Sequence, residues 1–182
     1  MKRCSWVGAS EKMIAYHDTR WCKPEHRENE LFAMLILEGA QAGLSWQTII
    51  EKEENYREAF DGFDPVKVAA YDEEKISLLM KNEGIIRNRL KICAAVTNAR
   101  AFLKVQEEFG TFDAYIWSFT DGKVIDHHLS DVSEMPATSP LSEEVSKDLK
   151  KRGFKFVGPT IIYSYLQGIG VINDHVADCD FR

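Results

Sequence analysis

The sequence predicts an all-α protein, and three observations carry that prediction. Strand-like alternation is nearly absent across the 182 residues. Helix-starting residues (Ser45, Asp64, Asp72) precede several of the periodic segments. Residues 87–109 place Leu90, Ile92, Ala94, Ala95, Val96, Ala99, Phe102 and Leu103 at helical spacing over more than five turns.

Taken in order, residues 1–30 are aromatic-rich and read as irregular, with Trp6, Tyr16, Trp21 and Pro24. A first helix is expected over 29–37, apolar on every side from Leu31 and therefore buried. Behind it come Glu38, the small flexible run from Gly39 to Gly43, and then Leu44, Ser45 and Trp46. Ser45 is placed as the N-cap of a second helix reaching 60. Asp64 and Pro65 supply the N-cap and N1 of a third over 65–70. Asp72 opens a fourth through Met80, with Gly84 ending it, and the long 87–109 helix and a short one over 112–119 follow. Residues 120–140 are the least regular, with a two-stranded excursion expected at 123–127. Helices over 142–151 and 160–167 flank a turn at 153–158, and Asn173 is read as the cap of a final short helix.

A hydrophobic content of 45% and a charged content of 29% describe an ordinary globule rather than a disordered or membrane chain. No run is long enough to span a bilayer, and the N-terminal segment is too poor in apolar residues for a secretory signal. A cytoplasmic protein with no membrane partner is expected. The net charge of −6 counts mildly against nucleic acid, but basic residues gather at Arg87, Arg89 and Lys91 and again at Lys147, Lys150, Lys151, Arg152 and Lys155. Either cluster can form a local phosphate-facing surface.

Three features suggest chemistry. Glu38 follows an apolar helix, where burial and the negative helix end both oppose ionisation; a carboxylate snorkelling to water has the same sequence signature. The glycine-containing turn from Gly153 to Gly158, preceded by lysines and followed by a helix, can offer backbone N–H groups to a phosphate. An ordinary helical hairpin with solvated lysines has the same pattern. Finally, Cys4 and His17 lie near one end of the chain and His175 and Cys179 near the other, the latter pair at i, i+4 on an expected helix face. Two thiolates and two imidazoles suit a closed, structural, tetrahedral Zn²⁺ that fastens the two ends together; taken singly, each also reads as a buried thiol or capping imidazole.

The run from Gly153 to Thr160, followed by Ile172, Asn173, Asp174 and His175, resembles the hairpin and downstream segment of helix-hairpin-helix DNA glycosylases. The stretch from Gly84 to Ile92 is similar to that superfamily's glycine-led turn into a long helix. Asn173 stands where most members carry a catalytic aspartate. Together with the terminal Cys/His pairs and the Glu38–Trp46 run, this chain resembles the 3-methyladenine DNA glycosylase I family over nearly its whole length. The resembling blocks include Arg3, Cys4, Trp6 and Val7; Ala15 to Asp18; Phe63 to Pro65; and Lys151 to Gly158.

That resemblance implies a single domain over 1–182, with two helical lobes and a base pocket between them. Segments 1–30 and 165–182 would be joined by zinc, with the hairpin near 149–160. It implies a monofunctional repair enzyme, monomeric, acting on alkylated double-stranded DNA and releasing free 3-methyladenine. Glu38 would accept a hydrogen bond from the exocyclic amine, Tyr16 and Trp46 would lie above and below the base, and Trp6 and Trp21 would line the pocket. Leu44, with Gly43, would fill the vacated stack, and Lys151, Lys155, Gly153 and Gly158 would meet phosphates. Cys4, His17, His175 and Cys179 would hold the metal.

Four departures from the family pattern stand out: Met13 for an aromatic, Arg20 for Glu, Cys22 for Gly and Leu90 for Gly. Met13 is expected to soften a pocket wall, and Cys22 to strain a turn needing positive φ or to act as a spare metal-site thiol. Two other classes remain open on the residues alone, a zinc-stapled module that binds alkylated duplex without cutting it, and an interaction scaffold with no nucleic-acid role.

Overall fold

In the computed structural model, which describes residues 1–182, ten α-helices carry nearly all of the regular structure. They are α1 (Glu11–Thr19), α2 (Glu28–Gln41), α3 (Trp46–Glu51), α4 (Glu53–Ala59), α5 (Pro65–Ala69), α6 (Glu73–Leu79), α7 (Arg89–Phe109), α8 (Phe112–Ser118), α9 (Pro140–Lys151) and α10 (Pro159–Gly168). Their starts follow the expected chemistry. Side chains of Ser10, Ser45, Asp64, Asp72, Asn88, Thr111 and Ser139 each accept a backbone N–H of the first turn.

The centre is α2. Every residue from Leu31 to Ala40 is buried, because α3, α7, α8 and α10 pack around it on all sides. The buried apolar residues form one connected cluster of 50, running from Cys4 to Cys179, so no part of the chain has a core of its own.

Several expectations are corrected. The first helix does not stop at 37 but runs through Gln41, which puts Glu38 within its last turn. The helix expected from 45 to 60 is two, α3 and α4, meeting at Lys52. Residues 1–30 are not irregular throughout, since α1 carries Tyr16 and His17 on its buried side. No two-stranded excursion forms at 123–127. Instead β1 (Ile125–Asp126) pairs in parallel with β2 (Ile172–Asn173), in the register Ile125 to Ile172. Asn173 is therefore a strand residue rather than a helix cap, and His175 and Cys179 lie in an irregular tail. The two ends of the chain meet there, with Asp180 N–H donating to the Lys2 carbonyl at 2.9 Å.

No helix is long and apolar enough to cross a membrane.

Candidate functional site

A cavity of about 210 Å³ opens between α1, α2, α3 and α10. Trp6, Tyr16, Trp21, Glu38 and Trp46, expected from the sequence to act together, all line it. Gln41, Val132, Met135, Ser164 and Gln167 complete the wall and were not expected. Ser164 and Gln167 are spaced i, i+3 on α10, so two uncharged polar residues on one helix face were the available signal. Gly168 lets the floor close: a Cβ there would lie 2.4 Å from Met34 Cε, 3.2 Å from Tyr16 Oη and 3.8 Å from Glu38 Oε1.

Glu38 is 3% exposed, and burial alone pushes its carboxyl up to about 8. A buried carboxyl among aromatic rings with no protein cation beside it is costly to ionise. It also attracts an incoming cation strongly. Burial first, and the neighbouring Glu38 second, push the Tyr16 phenol up as well. Arg20 braces this wall from behind: its guanidinium pairs with both Glu53 oxygens (2.8 and 2.7 Å) and lies 5.5 Å from the Tyr16 ring centre. The indole N–H groups of two lining residues, Trp6 and Trp46, are buried without partners.

The rings of Tyr16 and Trp46 touch, with centroids 5.4 Å apart and planes at 57°. A ring held between them needs about 7 Å, twice an ordinary carbon–carbon contact. In this conformation the pair is not a sandwich. Met13 is buried but takes no part in lining the cavity, so it does not soften the wall.

The turn after α2 is clamped. Gln41 Nε2 donates to the Leu44 carbonyl at 2.7 Å, and Lys91 Nζ donates to the carbonyls of Ala40 (2.7 Å) and Ala42 (2.6 Å). Gly43 sits at φ 78° with open space around it, and Leu44 is half-buried. Lys91 thus caps a helix end instead of facing phosphates. Arg89 and Arg87 pair with Glu73 and Glu83, so the first basic cluster is spent within the protein.

The second cluster differs. Arg152 is engaged by Glu108 and Asp148, whereas Lys151 and Lys155 are exposed with no ion pair. Between them Gly153 takes φ 93°, and Gly158 leads into α10, whose first turn no side chain caps. Three anchors fix this hairpin. Asn98 Oδ1 accepts the Lys155 N–H (2.7 Å) while its Nδ2 donates to the Lys155 carbonyl (3.0 Å), Ser146 Oγ donates to the Val157 carbonyl (2.6 Å), and Gly39 admits the Phe156 Cβ.

Behind the cavity wall, the ligating atoms of Cys4, His17 and Cys179 lie within 4.8 Å of one another, all buried. His175 falls outside that group, but its ring is 4.9 Å from that of His17 and its Nε2 is buried without a partner. Both imidazoles are oriented through Nδ1. His17 Nδ1 meets Asp18 Oδ1 at 2.8 Å, with Asp18 held bidentate by Arg3, and His175 Nδ1 meets Asn173 Oδ1 at 3.1 Å. This leaves both Nε2 atoms as lone-pair donors. Burial, with His17 beside it, lowers His175 to about 4, and burial raises the Cys4 thiol to about 11. Two buried thiols grouped with His17, and an orphaned Nε2 on the neighbouring His175 ring, fit a metal ion.

Cys22 is not a spare ligand. It sits at φ 59°, as expected for a turn built for glycine, and its sulfur accepts the Asp174 N–H at 3.3 Å. Asn173 is not at the cavity either; it is engaged with His175. Leu90, 74% exposed, touches no part of the site.

Known proteins resemble this chain over nearly its whole length. The methyladenine glycosylase family matches residues 6–182. The chain is 49% identical over 179 residues to DNA-3-methyladenine glycosylase 1 of Escherichia coli, covering 98% of this chain and 96% of that protein. It is 45% identical over 177 residues to DNA-3-methyladenine glycosylase of Haemophilus influenzae, covering 97% and 96%. Its structure is similar to that of 3-methyladenine DNA glycosylase I from Staphylococcus aureus, solved for the basis of its 3-methyladenine recognition. There the TM-score is 0.95 and identity 37%, over 99% of this chain and 96% of that one.

Proposed function

The chain belongs to the methyladenine glycosylase family, and we propose that it is a DNA-repair glycosylase hydrolysing the bond between 3-methyladenine and deoxyribose in alkylated duplex DNA. The observation that carries this reading is Glu38, a buried carboxyl without a cation, set in a cavity of aromatic rings.

Methylation at N3 gives the base a positive charge. When the bond from N9 to C1′ breaks, its electron pair neutralises the base, which leaves as free 3-methyladenine. Water then adds to the electron-poor C1′ and loses a proton. The leaving group needs no acid, and Asn173 has no catalytic part. What the protein supplies is extraction of the nucleotide from the stack and recognition of a flat cation. Glu38 ionises as the cation enters, accepting a hydrogen bond from the exocyclic amine. Tyr16 and Trp46 part around the base. Trp46, half-buried at the start of α3, is the partner that gives way, whereas Tyr16 is buried. Trp6 and Trp21 close the wall.

Gly43 and Leu44 form the wedge that fills the vacated stack. Lys151 and Lys155 with the backbone at Gly153 and Gly158 hold phosphates, the role of a helix-hairpin-helix. The protein acts as a cytoplasmic monomer, with its two lobes on either side of the pocket. Zn²⁺ is the metal of the terminal cluster, held by Cys4, His17 and Cys179 with His175 as fourth ligand. Four protein ligands leave it structural, fastening the ends behind Trp6 and Trp21.

Release of free base from methylated duplex tests the reading. Wild type should release 3-methyladenine and Glu38→Gln should release far less. Duplex binding without release would instead leave a damage-binding module.

A further inference from the structure

We propose that Gln167 is a specificity-determining residue: its side-chain oxygen, held toward the cavity by Asp174, selects a base bearing an exocyclic amine over one bearing an oxo group at that position. The inference rests on the reading of the cavity as a methylated-base site and adds a second acceptor to it.

The argument starts from the amide's orientation. Gln167 is buried on α10 and lines the cavity. Its Nε2 donates to Asp174 Oδ2 at 2.7 Å and lies 3.2 Å from Met135 Sδ, so both protons of the amide nitrogen face acceptors. Asp174 is itself fixed. It is fully buried, its Oδ1 accepts from His127 Nδ1 at 2.7 Å, and its Oδ2 also accepts the Tyr163 hydroxyl at 2.5 Å. Turning the amide over would set oxygen against the carboxylate oxygen. The network therefore assigns the orientation, and Oε1 is the end left for a ligand.

That oxygen accepts no hydrogen bond within the protein. It joins Glu38 as a second acceptor in a cavity that Tyr16, Gln41 and Ser164 also line. An exocyclic amine has two N–H groups and can serve both acceptors. An oxo group in the same place meets Gln167 Oε1 acceptor to acceptor, and a site built to pair a donor rejects the analogue that lacks it. Asp174 in this account is a positioning residue, acting through Gln167 without touching the base.

The experiment compares free 3-methyladenine with 3-methylhypoxanthine, which carries an oxo group in place of the amine, by quenching of tryptophan fluorescence. Gln167→Met keeps the bulk and removes the acceptor. It should weaken 3-methyladenine binding about tenfold, the scale of one hydrogen bond, and leave the oxo analogue within about twofold. Asp174→Asn lets the amide turn over and should narrow the same preference while Gln167 is intact. Equal losses for both bases in Gln167→Met, or an unchanged preference in Asp174→Asn, would overturn the inference and leave the base-binding reading standing. A wild type that binds neither base would remove that reading as well.

Discussion

Replacing Glu38 with Gln should stabilise the protein at alkaline pH while disabling it. In the folded chain burial raises this carboxyl from 4.5 to about 8. Between those two values the folded state holds a proton that the unfolded state has released, so stability falls as pH rises through the window. At 1.36 kcal/mol per pH unit, a shift from 4.5 to about 8 makes the cost about 2 kcal/mol at pH 6 and about 5 kcal/mol above pH 8. Gln has the same shape and no charge to bury, so its stability lacks this slope. Urea midpoints at pH 5, 7 and 9 measure it, because other titrating groups cancel when variant and wild type are compared. The two should nearly coincide at pH 5, with the variant well ahead at pH 9. Parallel pH profiles would refute the reasoning, as would a variant less stable at pH 9. The same substitution should reduce 3-methyladenine release, placing the cost of the buried carboxyl where the substrate's charge offsets it.

Other outcomes follow from single contacts. Lys151→Ala with Lys155→Ala should weaken duplex binding and lower its salt slope by about 2, with free-base binding unchanged; loss of both would contradict separate sites for phosphate and base. Asn98→Ala removes both hydrogen bonds to the Lys155 backbone and should lower stability by about 2 kcal/mol in urea titration. Duplex binding should weaken with it as the hairpin loosens. Cys179→Ser should bring metal content from about one ion per chain to near zero and lower the melting temperature. A wild type that is metal-free and equally stable would end the zinc assignment.

Local chemistry made much of this legible in advance. Caps at Ser45, Asp64 and Asp72 announced their helices because a side-chain acceptor and a first-turn N–H are neighbours in sequence. The unbroken apolar run from Leu31 marked the central helix for the same reason. Glu38, Tyr16, Trp6, Trp21 and Trp46 do share one cavity, and Cys4, His17 and Cys179 one cluster. What escaped depends on distant partners. The two-residue pairing of Ile125 with Ile172 has too few alternating positions to show a period, and it displaced the helix expected after Asn173. Lys91 looked like a phosphate ligand because nothing in its neighbourhood shows that α2 ends beside it. Gln167 offered only a polar residue three positions after Ser164, and its role depends on which end of its amide is already taken, here by Asp174.

The contact from Lys91 also has a mechanical side. A residue that enters a base stack is pushed back by the stack, with a few kcal/mol per step at stake. A turn of Gly, Ala and Gln would yield to that load by bending. Lys91 bolts it at Ala40 and Ala42 to the head of α7, a rod of 21 residues seated in the core. For the wedge proposed at Leu44, the root of the cantilever lies on another helix. Stiffness at that root decides whether the tip parts the bases or the bases fold the tip away.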